Sequence, residues 1–217
     1  MTHTLPNAVL WDWDGTIADT YSFLNDAHNH TLTTLGFPTF KEGEYQQYFG
    51  KPREMLYPAI YKDKADKAID IFGEYVFENV DQVQPIDGVR EVLTYLKEQN
   101  IPMGIVSNKK SDYIQEELKH TQMKAYFQIV IGSGDAQADK PSGAPLMLAL
   151  EQMKIDIDKE NIWYVGDTEN DLACAQECGA KTIFLCHGDQ GKALVAKYRP
   201  YFDFTHYNQL KEFLVAI

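Results

Sequence analysis

Asp12 and Asp14 stand two residues apart, directly after the apolar run Ala8-Val9-Leu10-Trp11 and just before Gly15. Two carboxylates at that spacing suit joint work on one reacting atom, one attacking while its neighbour moves a proton. Ser107-Asn108, Lys140-Pro141 and Gly166-Asp167 follow at intervals, with Asp171 close behind Asp167. Acids that converge repel one another, and a hard divalent cation between them relieves that repulsion. Mg²⁺ suits such a set, because it takes a few carboxylates, waters and a substrate phosphate oxygen. An aspartate near its ordinary pKa of ~3.9 is ionised at neutral pH and can attack phosphorus to give an aspartyl phosphate. The neighbour two residues on, its pKa raised by the adjacent charge, would protonate the leaving oxygen and later take a proton from water. Ser107 and Lys140 would hold the phosphoryl oxygens and spread the transition-state charge.

That chemistry needs elements that carry these distant stretches to one rim. Short apolar runs at 8–11, 101–106, 127–131, 162–165 and 182–185 predict strands, and the patterns at 89–99, 110–120, 145–153 and 168–177 predict helices, the last ended by Gly179. Strands alternating with helices of about a dozen residues imply right-handed βαβ units, hence an α/β fold with a doubly wound parallel sheet. Ligands in such sheets sit outside the carboxyl ends of the strands, where Asp12, Asp14, Ser107, Lys140 and Asp167 all fall. Residues 20–82 differ: they are rich in aromatics and helix formers, broken at Gly36-Phe37-Pro38 and Gly50-Lys51-Pro52. The expected organisation is therefore a core of residues 1–19 and 83–217 with a small all-helical cap of residues 20–82 inserted after the first strand.

The 217 residues suffice for one domain with an insert, and 44% hydrophobic against 24% charged residues is an ordinary globular mixture. The net charge of −12 repels nucleic acid and anionic lipid, so neither is an expected partner. Cys174, Cys178 and Cys186 are odd in number and crowded together, which suits reduced thiols in a cytoplasm better than disulfides. The first residues lack a basic stretch followed by an apolar one, and no run nears the ~18 apolar residues of a membrane span, so a soluble, unexported protein is expected.

The four motifs Asp12-Trp13-Asp14-Gly15-Thr16-Ile17-Ala18-Asp19-Thr20, Val106-Ser107-Asn108, Lys140-Pro141 and Gly166-Asp167-Thr168-Glu169-Asn170-Asp171 resemble the haloacid dehalogenase superfamily, in its phosphoglycolate-phosphatase-like branch with a helical cap. The resemblance implies a Mg²⁺-dependent phosphatase acting on a small phosphorylated metabolite through an aspartyl phosphate. It makes Asp12 the nucleophile and Asp14 the acid/base with its backbone carbonyl on the metal. Asp167 becomes a metal ligand, and Asp171 a ligand through water or an orienter of Lys140. Thr16, Ser107, Asn108 and Lys140 are the implied substrate contacts in the core, and Lys51 and Arg53 are candidates in the cap. Ser142-Gly143-Ala144 and the two cysteines Cys174 and Cys178 depart from the family's usual residues without touching the proposed chemistry.

Ordinary alternatives exist for each residue: a solvated Asp-Gly turn for Asp14, a helix cap for Ser107 or Asp167, an exposed first-turn acid for Asp171. The set of residues, rather than any one, carries the functional reading. His28-Asn29-His30 resembles a nuclease signature by letters only, and Ile131-Gly132-Ser133-Gly134-Asp135 lacks the last glycine of a dinucleotide loop. The cap aromatics read as the cap's own core, with Tyr21 and Phe49 near the cleft. Asp14 argues against a dehalogenase or an imine-forming phosphonate hydrolase. A sugar phosphomutase remains an alternative within the superfamily, and a phospho-acceptor signalling module one outside it.

Overall fold

The computed structural model describes residues 4–157 and 160–217. Its centre is β1 (Ala8–Trp11), buried at every position and paired in parallel with β4 (Met103–Val106) on one side and β6 (Ile162–Gly166) on the other. A strand covered on both faces reads as an unbroken apolar run, which is why Ala8 to Trp11 shows no alternation. With β5 (Ile129–Ile131), β7 (Lys181–Leu185) and β8 (Phe202–Phe204), the sheet order is β5-β4-β1-β6-β7-β8, every pairing parallel. The chain moves outward from β1 to β4 and β5, then crosses back to β6 and onward to β7 and β8. The reversal leaves a crevice at the ends of β1 and β6, the place where open α/β sheets bind ligands.

Helices cover both faces. In α4 (Val89–Glu98) the buried residues Val89, Val92, Leu93 and Leu96 follow the spacing of a single helical stripe. α5 (Ser111–His120) and α6 (Ala144–Met153) follow the second and third strands of that half, and Pro145 sits in the first turn of α6, where its missing N–H costs nothing. α7 (Glu169–Cys178) begins with a capping box between Thr168 and Asp171 and ends at Gly179 in the left-handed region, as its sequence predicts. Beyond the last expected strand the structure adds α8 (Gly188–Tyr198), β8 and α9 (Tyr207–Ala216). Phe213 of α9 stacks on Phe202 at 4.1 Å and Trp163 at 5.9 Å, and the Tyr207 hydroxyl donates to the Thr16 carbonyl at 2.6 Å, bracing the loop after β1. No helix among the described residues is long and apolar enough to cross a membrane.

The cap consists of α1 (Tyr21–Thr34), α2 (Arg53–Tyr61) and α3 (Ala65–Glu78). Its polypeptide leaves and re-enters the core through an antiparallel ribbon of β2 (Ala18–Asp19) and β3 (Gln84–Pro85), reinforced by Ile86 N donating to the Ile17 carbonyl at 2.9 Å. Phe72, Tyr45 and Tyr61 surround the buried His28 ring, with centroids 4.6, 5.1 and 5.8 Å away. The histidine that resembles a nuclease residue by letters is thus a core residue of the cap.

Candidate active site

At the end of β1, Asp12 N donates to the Val165 carbonyl at 2.8 Å, holding the loop against β6. Gly15 then turns with φ of +77°, and a Cβ there would lie 2.5 Å from Asp167 Oδ2, so only glycine lets the two loops approach. At the end of β4, the Asn108 carboxamide grips the backbone of Lys140 twice, donating to its carbonyl and accepting from its N–H, both at 2.9 Å. Asp139 accepts from Ser133 Oγ and Gly134 N, which folds the glycine-rich loop after β5 and brings Lys140 back toward the sheet.

Lys140 is 2% exposed. Its ammonium donates to Asp12 Oδ1 at 2.7 Å, Asp171 Oδ1 at 2.6 Å and the Tyr164 hydroxyl at 2.9 Å. Burial works against this charge, but Asp12 and Asp171 outweigh it and hold the ammonium protonated, with its pKa above the usual lysine range. Burial pushes the Asp12 carboxyl up to about 7; Lys140 pulls the other way, and Asp171 adds to the push. The ordinary carboxylate value expected for the nucleophile is thus displaced by its dry surroundings. Asp167 is held well above the usual range by burial and by Asp12 and Asp171, opposed by a 3.0 Å hydrogen bond from Thr16 Oγ1.

Carboxylate oxygens of Asp12, Asp167 and Asp171 lie within 4.8 Å of one another. Lys140 reaches two of these acids, while Asp167 is met by the neutral Thr16 hydroxyl. Three crowded oxygen donors, one of them without a cationic partner among the described residues, fit a hard divalent ion. Asp171 already accepts from Lys140 and Tyr164 on Oδ1 and from Thr168 N and Oγ1 on Oδ2. That set of bonds makes it the residue that orients Lys140 and caps α7, and its exposure is 0% rather than that of a surface acid.

The expected residues separate as follows. Asp12, Ser107, Lys140, Asp167 and Asp171 gather at the rim. Ser107 does not cap α5: the residue preceding that helix is Lys110, with no side-chain cap. Thr16 is fully buried and its hydroxyl donates to Asp167, which places it beside the acid cluster. Asn108 contributes mainly through the Lys140 clamp and a 3.1 Å bond to the Gly50 carbonyl. The Asp14 side chain stands apart from the acid cluster: its Oδ1 accepts from Thr20 Oγ1 at 2.7 Å and from Lys109 Nζ at 2.8 Å. The group that meets Asp14 is therefore a cation, where sequence spacing points to its acidic neighbour.

A cavity of about 80 Å³ lies between this rim and the cap. Asp12, Asp14, Ser107 and Lys140 form its floor, and Tyr45, Phe49, Tyr57 and Phe72 form part of its roof. The cap aromatics are thus both core and cavity wall. Lys51 and Arg53 also line it, and the Arg53 guanidinium lies 4.8 Å from the centre of the Tyr57 ring. Tyr21 faces a separate groove beside Asp167.

The roles of Lys109, Glu117, Trp13 and Tyr164 escape a reading of motifs, although Trp13 lies within the first. Lys109 directly follows the second motif and is 8% exposed; Tyr164, inside an apolar strand, reads as core until its hydroxyl is seen between Lys140 and the Val106 carbonyl.

The family model of the haloacid dehalogenase-like hydrolases matches residues 9–185. A pyrophosphatase PpaX of Bacillus velezensis is 29% identical over 201 residues, 92% of each chain, and that of Bacillus mycoides is 28% identical over 195 residues, 89% of this chain and 90% of its own. Among solved structures, a predicted phosphoglycolate phosphatase from Haemophilus somnus superposes with a TM-score of 0.86 at 21% identity, covering 98% of this chain and 99% of its own. A haloacid dehalogenase-like family hydrolase from Streptococcus pneumoniae gives 0.83 at 22% identity, covering 95% and 97%. The two structures bear on the fold, and the family match spans all four motifs. By the family match over residues 9–185 the chain belongs to the haloacid dehalogenase-like hydrolases.

Proposed function

We propose that this protein hydrolyses a small phosphomonoester, with Mg²⁺, through an aspartyl phosphate on Asp12. The observation that carries this reading is the 2.7 Å contact of Lys140 Nζ with Asp12 Oδ1, beside the cluster that Asp12 forms with Asp167 and Asp171. Asp12 attacks phosphorus, the bond to the ester oxygen breaks, and Asp14 protonates the departing alkoxide. In the second half Asp14 takes a proton from water as its oxygen attacks the aspartyl phosphate, releasing inorganic phosphate and restoring Asp12. Ser107 and Lys140 hold phosphoryl oxygens, Lys140 as a fixed charge whose position Asp171 and Tyr164 set. Asp12, Asp167 and the Asp14 backbone carbonyl would hold Mg²⁺, which when bound neutralises the carboxylates and the phosphoryl group.

Residues 20–82 act as the cap that excludes bulk water while the ester reacts. Lys51, Arg53 and Lys110 line the cavity, and a second anionic group on the substrate would meet them. The same three cations support inorganic pyrophosphate as a second reading, in line with the name of the Bacillus relatives. Its free cysteines suit a reducing cytoplasm.

The test is a panel of phosphorylated metabolites and pyrophosphate, ranked by kcat/KM with Mg²⁺ and repeated with EDTA. Turnover that stops with EDTA and is lost in a folded Asp12→Asn variant is expected. Full activity of Asp12→Asn would sink the scheme.

A further inference from the structure

We propose that Lys109, anchored by the buried Glu117, is the positioning residue for the Asp14 proton carrier. The proposal rests on the phosphatase reading above.

Lys109 Nζ lies between two acids, 2.8 Å from Asp14 Oδ1 and 2.5 Å from Glu117 Oε1. Glu117 comes from α5 and is completely buried. Its other oxygen accepts a short hydrogen bond from the indole N–H of Trp13, the residue between the two catalytic aspartates. Two arms therefore run from one buried carboxylate to the loop after β1: one through Lys109 to the Asp14 side chain, the other through Trp13 to the backbone that carries it.

A buried acid–base pair is a poor way to gain stability, because apolar side chains of the same size would pack there without the desolvation cost. Ile114 and Leu118 do so on the same buried face of α5. The acid at 117 is explained by what it holds. Lys109 and Thr20 both occupy Asp14 Oδ1, at 2.8 and 2.7 Å. Asp14 Oδ2 takes no hydrogen bond from the described residues and is the oxygen left to carry the proton. Anchoring Oδ1 on two sides fixes the plane of the carboxyl group, and hence the direction in which Oδ2 delivers its proton to the ester oxygen. Lys109 acts through Asp14 and leaves the phosphoryl group to Ser107 and Lys140.

The experiment compares benzyl phosphate, whose alkoxide needs a proton to leave, with p-nitrophenyl phosphate, whose phenolate departs without one. Because kcat/KM ends at departure of the leaving group, loss of a well-aimed acid harms the first ester selectively. Lys109→Met alone would leave Glu117 as a lone buried charge, so the test uses the paired variant Lys109→Met/Glu117→Gln, together with Glu117→Gln alone. The paired variant is expected to lower kcat/KM for benzyl phosphate by about 10- to 100-fold and for p-nitrophenyl phosphate by less than about 3-fold, a fraction of what a general acid contributes. Glu117→Gln, which keeps Lys109, should fall between it and the wild type. Equal losses on both esters would make Lys109 a phosphate-binding charge and overturn the proposal, as would no loss on either. Wild-type protein that cleaves neither ester overturns the phosphatase reading and this proposal together, whereas wild-type turnover with parallel losses overturns this proposal alone.

Discussion

Asn170 and Gly50 join the core to the cap at a single oxygen. Asn170 Nδ2 donates to the Gly50 carbonyl at 2.8 Å, and Asn108 Nδ2 donates to the same atom at 3.1 Å. The loop after β4 and the first turn of α7, which follows β6, thereby hold one peptide of the cap over the cavity. Gly50 adopts φ of +74°, and a Cβ on it would lie 2.8 Å from Thr168 Cγ2, so the approach depends on glycine.

Asn170→Ala removes one of these two bonds. A hydrogen bond of this kind is worth about 0.5–1.5 kcal/mol, so KM should rise about 2- to 10-fold, with a smaller change in kcat. Gly50→Ala adds backbone strain and a steric clash, and should exceed that effect. Initial-rate kinetics on both variants, with limited proteolysis of the cap as a readout of opening, checks this. Unchanged KM and protease resistance in Gly50→Ala would show that the contact does not govern closure.

The acid cluster predicts how metal acts on stability. Mg²⁺ binding the folded chain should raise the melting temperature, by the equivalent of about 2.7 kcal/mol at a hundred times its dissociation constant. Asp167→Asn relieves repulsion among the three acids, so without metal it should be at least as stable as wild type. It should also lose the Mg²⁺-dependent shift. A thermal melt of both proteins with and without Mg²⁺ decides the matter, and a full shift in Asp167→Asn would put the ion elsewhere.

His28 gives the cap a pH dependence with a defined sign. Burial lowers its pKa to about 3, against about 6.5 for the unfolded chain. Between those values the unfolded chain binds a proton that the folded one refuses. The stabilisation is therefore complete above about pH 6.5 and lost as pH falls toward 3, at about 1.4 kcal/mol per pH unit. His28→Phe keeps an aromatic ring among Phe72, Tyr45 and Tyr61 and removes the titration, so its stability should fall less steeply than wild type between pH 6 and 4. Chemical denaturation across that range measures it; parallel curves for the two proteins would refute it.

What could be read from the residues divides along physical lines. Asp12, Ser107 and Asp167 were legible because each ends a short apolar strand, and strand ends in a parallel sheet share one edge. Gly179 was legible because helix termination is local chemistry, and the helical character of α1 to α3 because the composition changes after Thr20. The bond from Thr16 to Asp167 was not legible, since nothing local says where a hydroxyl in that loop turns. Glu117 was hidden for the opposite reason: an acid in an amphipathic helix reads as solvated, and its partner Trp13 lies 104 positions away. The tail from Gly188 onward carries no motif that points to the site, yet Tyr207 braces the loop that bears Asp12 and Asp14.

The ribbon of Ala18–Asp19 and Gln84–Pro85 has a last consequence. Because the inserted polypeptide departs and returns at adjacent positions, its length and content are decoupled from strand register elsewhere. Evolution, or an engineer, can exchange the whole excursion for another of different shape and redirect the enzyme to new clientele, while the machinery beneath keeps its geometry.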